Sequence, residues 1–127
     1  MIVLDASVLI AHLDGNDRHH LKARRLLDES VGEPLAASAI TLAETLVAPA
    51  RGGRLADAEA ALRQLGVEKL AIGVDSPGRL ATLQAGTGLK MPDCCVLLAA
   101  LDHQATLASF DSSLLSAARE LEVKTTP

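Results

Sequence analysis

Met1-Ile2-Val3-Leu4-Asp5-Ala6-Ser7 is the stretch that decides the fold. Three apolar residues in succession, Ile2, Val3 and Leu4, suit a short strand buried on both faces, as a parallel sheet requires. The acid that follows, with a hydroxyl two residues on, stands where that strand gives way to a helix. Residues 105 to 109 repeat the pattern with a second apolar strand, then Phe110 and Asp111.

Between these stretches strand and helix alternate. Ser7 to Leu13 reads as a short helix ended by Asp14-Gly15. Asp17 then caps a longer helix to about Val31, with Ala23, Leu26, Leu27, Ser30 and Val31 on one face. Residues 35 to 38 form a second strand, and Thr41 starts a helix running toward Pro49 and Gly52-Gly53. Arg54 to Leu65 is an alanine-rich helix stopped by Gly66, followed by a strand over 69–74. Ser76-Pro77 supplies the N-cap and first position of a helix that ends at Gly86-Thr87-Gly88. Pro92 opens an almost wholly apolar helix to Leu101; a helix over 112–121 and a strand over 123–125 complete the chain. Such alternation implies a parallel α/β domain. The 127 residues suffice for one domain, spanning 1–127, and are too few for two.

Half the residues are apolar, and Phe110 is the only aromatic, so the core is aliphatic. A net charge of −4 argues against a generally basic nucleic-acid coat. Adjacent Cys94 and Cys95 suit neither a mutual disulfide nor a CxxC motif, and a reduced, cytoplasmic chain is expected. The opening residues lack the features of a signal peptide, and no apolar run approaches the length of a membrane span.

Ligands of open α/β sheets bind at the carboxyl edge of the strands. Asp5, Glu44, Asp93 and Asp111 all fall where a strand gives way to a helix or within a helix's first turns. Taken singly, each has an ordinary explanation. Glu44 lies three residues after Thr41, a capping-box spacing. Asp93, after Pro92, complements a helix macrodipole. Asp111 and Asp5 can each act as an N-cap. Taken together, they imply clustered carboxylates whose repulsion protons or cations must relieve. Hard divalent ions prefer such oxygen ligands, and the chemistry they support is phosphodiester hydrolysis by an activated water. Ser7 and Ser109 stand close enough in sequence to steady an acid or a metal-bound water.

In order and spacing, Val3-Leu4-Asp5-Ala6-Ser7, Thr41-Leu42-Ala43-Glu44, Leu89-Lys90-Met91-Pro92-Asp93 and Ser109-Phe110-Asp111 resemble the acidic motifs of PIN-domain ribonucleases, particularly the VapC toxins of bacterial toxin–antitoxin pairs. The resemblance covers essentially the whole chain. It implies a three-layer domain, with a five-stranded parallel sheet flanked by helices, that cuts RNA endonucleolytically with Mg²⁺ or Mn²⁺. Asp5, Glu44, Asp93 and Asp111 would be the catalytic, metal-binding quartet, supported by the Ser7 and Ser109 hydroxyls. A homodimer and a small VapB-like antitoxin, whose basic tail plugs the acidic site, are implied too. Serine stands at both hydroxyl positions where threonine is more frequent, and Cys94-Cys95 follow Asp93 where small or aliphatic residues are usual. Neither departure touches the acids.

RNA phosphates could be met by Arg18, Lys22 and Arg25, which recur at i, i+4 and i+7 opposite the apolar face of the second helix. A solvated surface with an Arg25 to Glu29 pair explains the same residues equally well. Arg51 and Arg54 flank the Gly52-Gly53 turn and could reach phosphate. Lys90, just before Pro92-Asp93, could meet a phosphate or pair with an acid, with a plain surface lysine slightly preferred. Phe110 reads as core, so base stacking should be minor. His12, His19, His20 and His103 lack metal-ligand spacing, with His12 at the rim of the site at best, and the cysteines read as buried small hydrophobes. Two other classes compete: a Mg²⁺-binding phosphoacceptor receiver and a PIN-like domain that only binds partners. A receiver needs an acidic pair after the first strand and a lysine ending the last; Asp5 is a single acid, and Lys124 lies in a terminal segment.

Overall fold

Ile2, Val3 and Leu4 are all buried, because they form the central strand of the sheet. The computed structural model describes residues 1–127. Its first half runs β1 (Ile2–Leu4), α1 (Ala6–Leu13), α2 (His20–Glu29), β2 (Leu35–Ser38), α3 (Ala39–Arg51) and α4 (Leu55–Leu65). The second half runs β3 (Val67–Leu70), α5 (Ser76–Thr87), α6 (Met91–Asp102), β4 (Thr106–Ala108), α7 (Ser112–Glu120) and β5 (Thr125–Thr126). All four strand pairings are parallel, in the order β3-β2-β1-β4-β5.

Side chains alternate across a strand, and β1 shows the consequence. Val3 joins a core with Leu97, Leu107 and Leu114, whereas Ile2 and Leu4 join a second core with Val8, Leu9, Leu26 and Leu27. Helices α6 and α7 thus cover one face and α1 to α4 the other, which makes the three layers. Cys94 to Ala100 of α6 are buried without a break, as its lack of a polar face requires. No helix is long and apolar enough to cross a membrane.

Several boundaries differ from the sequence reading. The third strand occupies Val67–Leu70 rather than 69–74. Gly66, at φ +79°, ends α4 and turns the chain directly into the sheet. Pairing with β2 then runs only from Leu35↔Val67 to Ser38↔Leu70, because β2 becomes helix after Ser38. Ile72 and Val74 are consequently exposed. The last strand is Thr125–Thr126, while Val123 packs into the core. Asp17 does not cap α2: its carboxylate accepts the His19 N–H at 2.8 Å in the turn before the helix, and Val31 lies beyond the helix, exposed. Asp75, not Ser76, holds the N-cap position of α5, which puts Pro77 inside the first turn.

Two substitutions probe this architecture. Leu97→Ala, in the middle of buried α6, should cost about 3 kcal/mol through the cavity it leaves. Leu121→Ala, on the surface, should cost well under about 1 kcal/mol, and urea unfolding of both variants checks the difference.

Candidate active site

Asp5 follows β1 at the N-cap position of α1, yet its side chain does not cap the helix. Its Oδ2 accepts hydrogen bonds from Ser7 Oγ at 2.7 Å and Ser109 Oγ at 2.8 Å. Those hydroxyls in turn accept from the β4–α7 loop: Ser7 Oγ from the Phe110 N–H at 3.0 Å, and Ser109 Oγ from the Asp111 N–H at 2.9 Å. A serine hydroxyl has one proton, so with both donating to Asp5 the 3.4 Å contact between the two oxygens is no additional bond. Asp5 Oδ1 stays outside this network.

Ser38, not Thr41, caps α3, its Oγ accepting from the Thr41 N–H at 3.1 Å. The capping-box explanation of Glu44 therefore fails: Glu44 sits in the second turn, with no cap to serve. Asp93 lies in the first turn of α6, whose N-cap residue is Lys90. Asp111 does cap α7, with Oδ1 accepting from the N–H groups of Ser113 at 2.8 Å and Leu114 at 3.3 Å. Its ordinary explanation holds for that one oxygen.

The carboxyl edge brings the four acids within electrostatic reach. Glu44 has its pKa raised above the ordinary value, first by desolvation of the carboxyl, although much of the residue is exposed, then by Asp5 and Asp93. Asp93 is raised likewise, first by burial and then by Asp5 and Asp111. Lys90 opposes both shifts, so its exposed ammonium lies within electrostatic reach of these acids, although it forms no ion pair with them. No group of three or more His, Cys, Asp or Glu side chains converges tightly enough to enclose an ion by itself. The donor set is all oxygen, and its members repel one another, so the residues present fit a hard divalent cation.

The PIN domain model matches residues 2–120. The chain belongs to the PIN domain family. No curated protein matches the sequence significantly. Among solved structures it is similar to the toxin VapC20 of Mycobacterium tuberculosis, described as cleaving the sarcin–ricin loop, at 19% identity and a TM-score of 0.76 over 92% of this chain and 95% of that one. It is also similar to a toxin–antitoxin complex from Klebsiella pneumoniae, at 25% identity and a TM-score of 0.73 over 88% of each chain. VapBC2 of Rickettsia felis, bound to a DNA fragment from their promoter, aligns at 18% identity and a TM-score of 0.69 over 99% of this chain and 98% of that one. The strand order of this PIN domain also departs from the 2-1-3-4-5 order of flavodoxin-like receivers.

The basic residues scatter. Lys22 and Arg25 line a groove of about 700 Å³ between α2 and the β4–α7 segment, which Ser109 also lines. Arg54 and Glu44 line another, of about 530 Å³, between α1, α3 and α4. Arg18 precedes α2 in a turn, so the three-residue helical stripe shortens to Lys22 and Arg25. Arg51 ends α3, exposed. The suggested Arg25 to Glu29 ion pair does not form; the ion pairs are Met1–Glu33, Arg79–Asp75 and Arg79–Asp102.

His12 lies away from the acids, lining a cavity with Pro34 and Leu35 at the amino edge of the sheet. His20 and His103 contact the carbonyls of Ala11 and Ala99 at 2.7 and 3.0 Å. Cys94 and Cys95 are free and buried, with burial raising both thiol pKa values. The sequence reading missed His19, which stacks on Phe110 with ring centroids 4.8 Å apart. No spacing rule joins residues so far apart; that Phe110 is the sole aromatic was the only hint.

The raised acids give this site a pH signature. Folded-state values above the ordinary ones mean stability that is fully present below the ordinary carboxylate range and lost as pH rises through the raised values. Without divalent ions, the Glu44→Gln/Asp93→Asn protein should therefore be more stable than wild type at about pH 7, with the gap narrowing toward about pH 4. Urea midpoints in chelator at both pH values measure it; a gap independent of pH would contradict the electrostatic account. Ser109→Ala removes Asp5's partner and strands the Asp111 N–H, and should cost about 1–3 kcal/mol by the same assay.

Proposed function

We propose that this PIN domain is a metal-dependent endoribonuclease, the toxin of a VapBC-type toxin–antitoxin pair, with Asp5, Glu44, Asp93 and Asp111 as its acidic quartet. The observation that carries the reading is the mutual electrostatic strain of these carboxylates around an Asp5 that two hydroxyls hold in place. Similarity to a toxin that cleaves the sarcin–ricin loop and to a toxin–antitoxin complex supports both the activity and the partner.

Mg²⁺ or Mn²⁺ at the quartet would supply an activated water and stabilise charge on the leaving oxygen. Ser7 and Ser109 fix Asp5 by one oxygen, so the other faces the edge in a constant direction. Lys90 offers a positive charge beside Glu44 and Asp93 for the scissile phosphate. With an ion-activated water as the nucleophile, no covalent enzyme intermediate is called for. Phosphates flanking the cut are met by Lys22 and Arg25 in one groove and Arg54 in the other, with Arg18 and Arg51 close to them in the chain.

The groove that reaches Glu44 is lined by Ile10, Leu13, Ala48 and Pro49 as well as Arg54, a surface suited to an amphipathic VapB-like antitoxin segment whose basic tail ends among the acids. A homodimer completes the assembly, and α3 exposes Ile40 and Val47. The cytoplasm, which holds RNA and keeps Cys94 and Cys95 reduced, is the proposed location.

Purified protein should cut RNA when Mn²⁺ or Mg²⁺ is added and stop when the ion is chelated, whereas Asp5→Asn should lose at least about 100-fold in rate. Sequencing of the new RNA ends locates the cut. Divalent ion at ten times its Kd should raise the wild-type Tm by on the order of 5 °C, and that of Asp93→Asn by less. A protein that gains stability from the ion yet leaves RNA intact would be reassigned as a binding module.

A further inference from the structure

The groove between α2 and the β4–α7 segment adjoins the acidic edge. Ser109 lines it while donating to Asp5, and Ser112 lines it one residue after Asp111. Its volume of about 700 Å³ is that of a small-ligand site. Lys22 and Arg25 line it, both exposed and outside every ion pair in the structure. Glu29 is the only acidic side chain lining the groove, so the lining side chains carry a local positive charge in a chain of net charge −4.

His19 and Phe110 form one wall. Their rings stack at 4.8 Å with 24° between planes, and Arg18 Nε donates to His19 Nε2 at 3.1 Å, so the imidazole is held by a face and by an edge. Phe110 is fixed from below by the core and through its own N–H, which donates to Ser7 Oγ. A preorganised pair of flat rings next to unpaired cations matches single-stranded nucleic acid, whose bases stack on aromatic rings while its phosphates meet Lys and Arg. A protein partner would seek apolar anchors, but Ile2, Leu26 and Leu115, which line the groove floor, are already buried in the core.

We propose that this groove is a nucleotide subsite for the RNA strand beside the scissile bond, in which the His19–Phe110 pair stacks one base and Lys22 and Arg25 hold its phosphate. His19 is thereby a specificity-determining residue. The inference rests on the endoribonuclease reading for its ligand, and its test is separable from that reading because it measures binding as well as cleavage.

The binding probe is a fluorescein-labelled single-stranded RNA 20-mer of random sequence, titrated with Asp93→Asn protein at several salt concentrations. Adding His19→Ala should weaken binding roughly tenfold, the loss of one base stack. His19→Phe, which keeps a flat ring on Phe110, should restore it. Lys22→Ala/Arg25→Ala should flatten the log–log salt slope by about 1.4, at roughly 0.7 per lost phosphate contact on a single strand. In the cleavage-competent protein, His19→Ala should change nucleotide preference at a position flanking the cut, with the loss falling on KM. Equal affinity and salt slope in all these variants would overturn the subsite even if the wild type cleaves RNA. Binding that responds as expected in a wild type that never cuts would uphold the subsite and remove the nuclease reading. No RNA binding at all would overturn both.

Discussion

Asp5 Oδ2 accepts two hydroxyl protons, one from the first turn of α1 and one from the loop that follows β4. Much of the carboxyl edge depends on that shared acceptor. Hydrogen bonds to a charged group are the stronger kind, and here they join parts of the chain 104 residues apart. Because each hydroxyl also accepts a backbone N–H from the β4–α7 loop, the clamp sets the position of Phe110 and Asp111 as well. Each serine thus serves twice, once towards the acid and once towards the loop that carries the next acid.

The clamp also makes the edge electrostatically costly. It holds Asp5, 5% exposed to solvent, close enough to raise the pKa values of Glu44 and Asp93 after desolvation has done so first. The energy to hold such an arrangement comes from the layers beneath: the apolar α6 on one face and α1 to α4 on the other. Lys90 relieves part of the load from the N-cap of α6. Functional sites often carry such local conflicts, which the rest of the fold supports.

The strand order explains why the acids meet at all. From β1 the chain adds β2 and then β3 on one side, and crosses back to place β4 and β5 on the other. The reversal leaves a crevice between the carboxyl ends of β1 and β4, the switch point at which open α/β sheets bind ligands. Asp5 and Asp111 follow those two strands, and the N-terminal turns of α3 and α6 bring Glu44 and Asp93 to the same edge. The His19–Phe110 wall borders that crevice because Phe110 lies in the loop between β4 and α7.

Much of this was legible in the sequence, for physical reasons. Apolar runs of strand length, alternating with helical segments, specify a parallel layered sheet because only burial on both faces accounts for strands such as Ile2-Val3-Leu4. Acids placed just past those strands must then share an edge, which is how Asp5, Glu44, Asp93 and Asp111 could be grouped without coordinates. Local signals misled where tertiary pairing overrode them. Thr41 resembles a cap, but the true cap is Ser38; the third strand stops at Leu70 because its partner β2 has already become helix. The sequence by itself determined the layered α/β class and which acids come to share the carboxyl edge, since both follow from periodicity and chain order. Only the tertiary structure decided which hydroxyls clamp Asp5, that Lys90 joins the acids, and that His19 meets Phe110, because those contacts join residues far apart in the chain, whose distance apart depends on strand order and register.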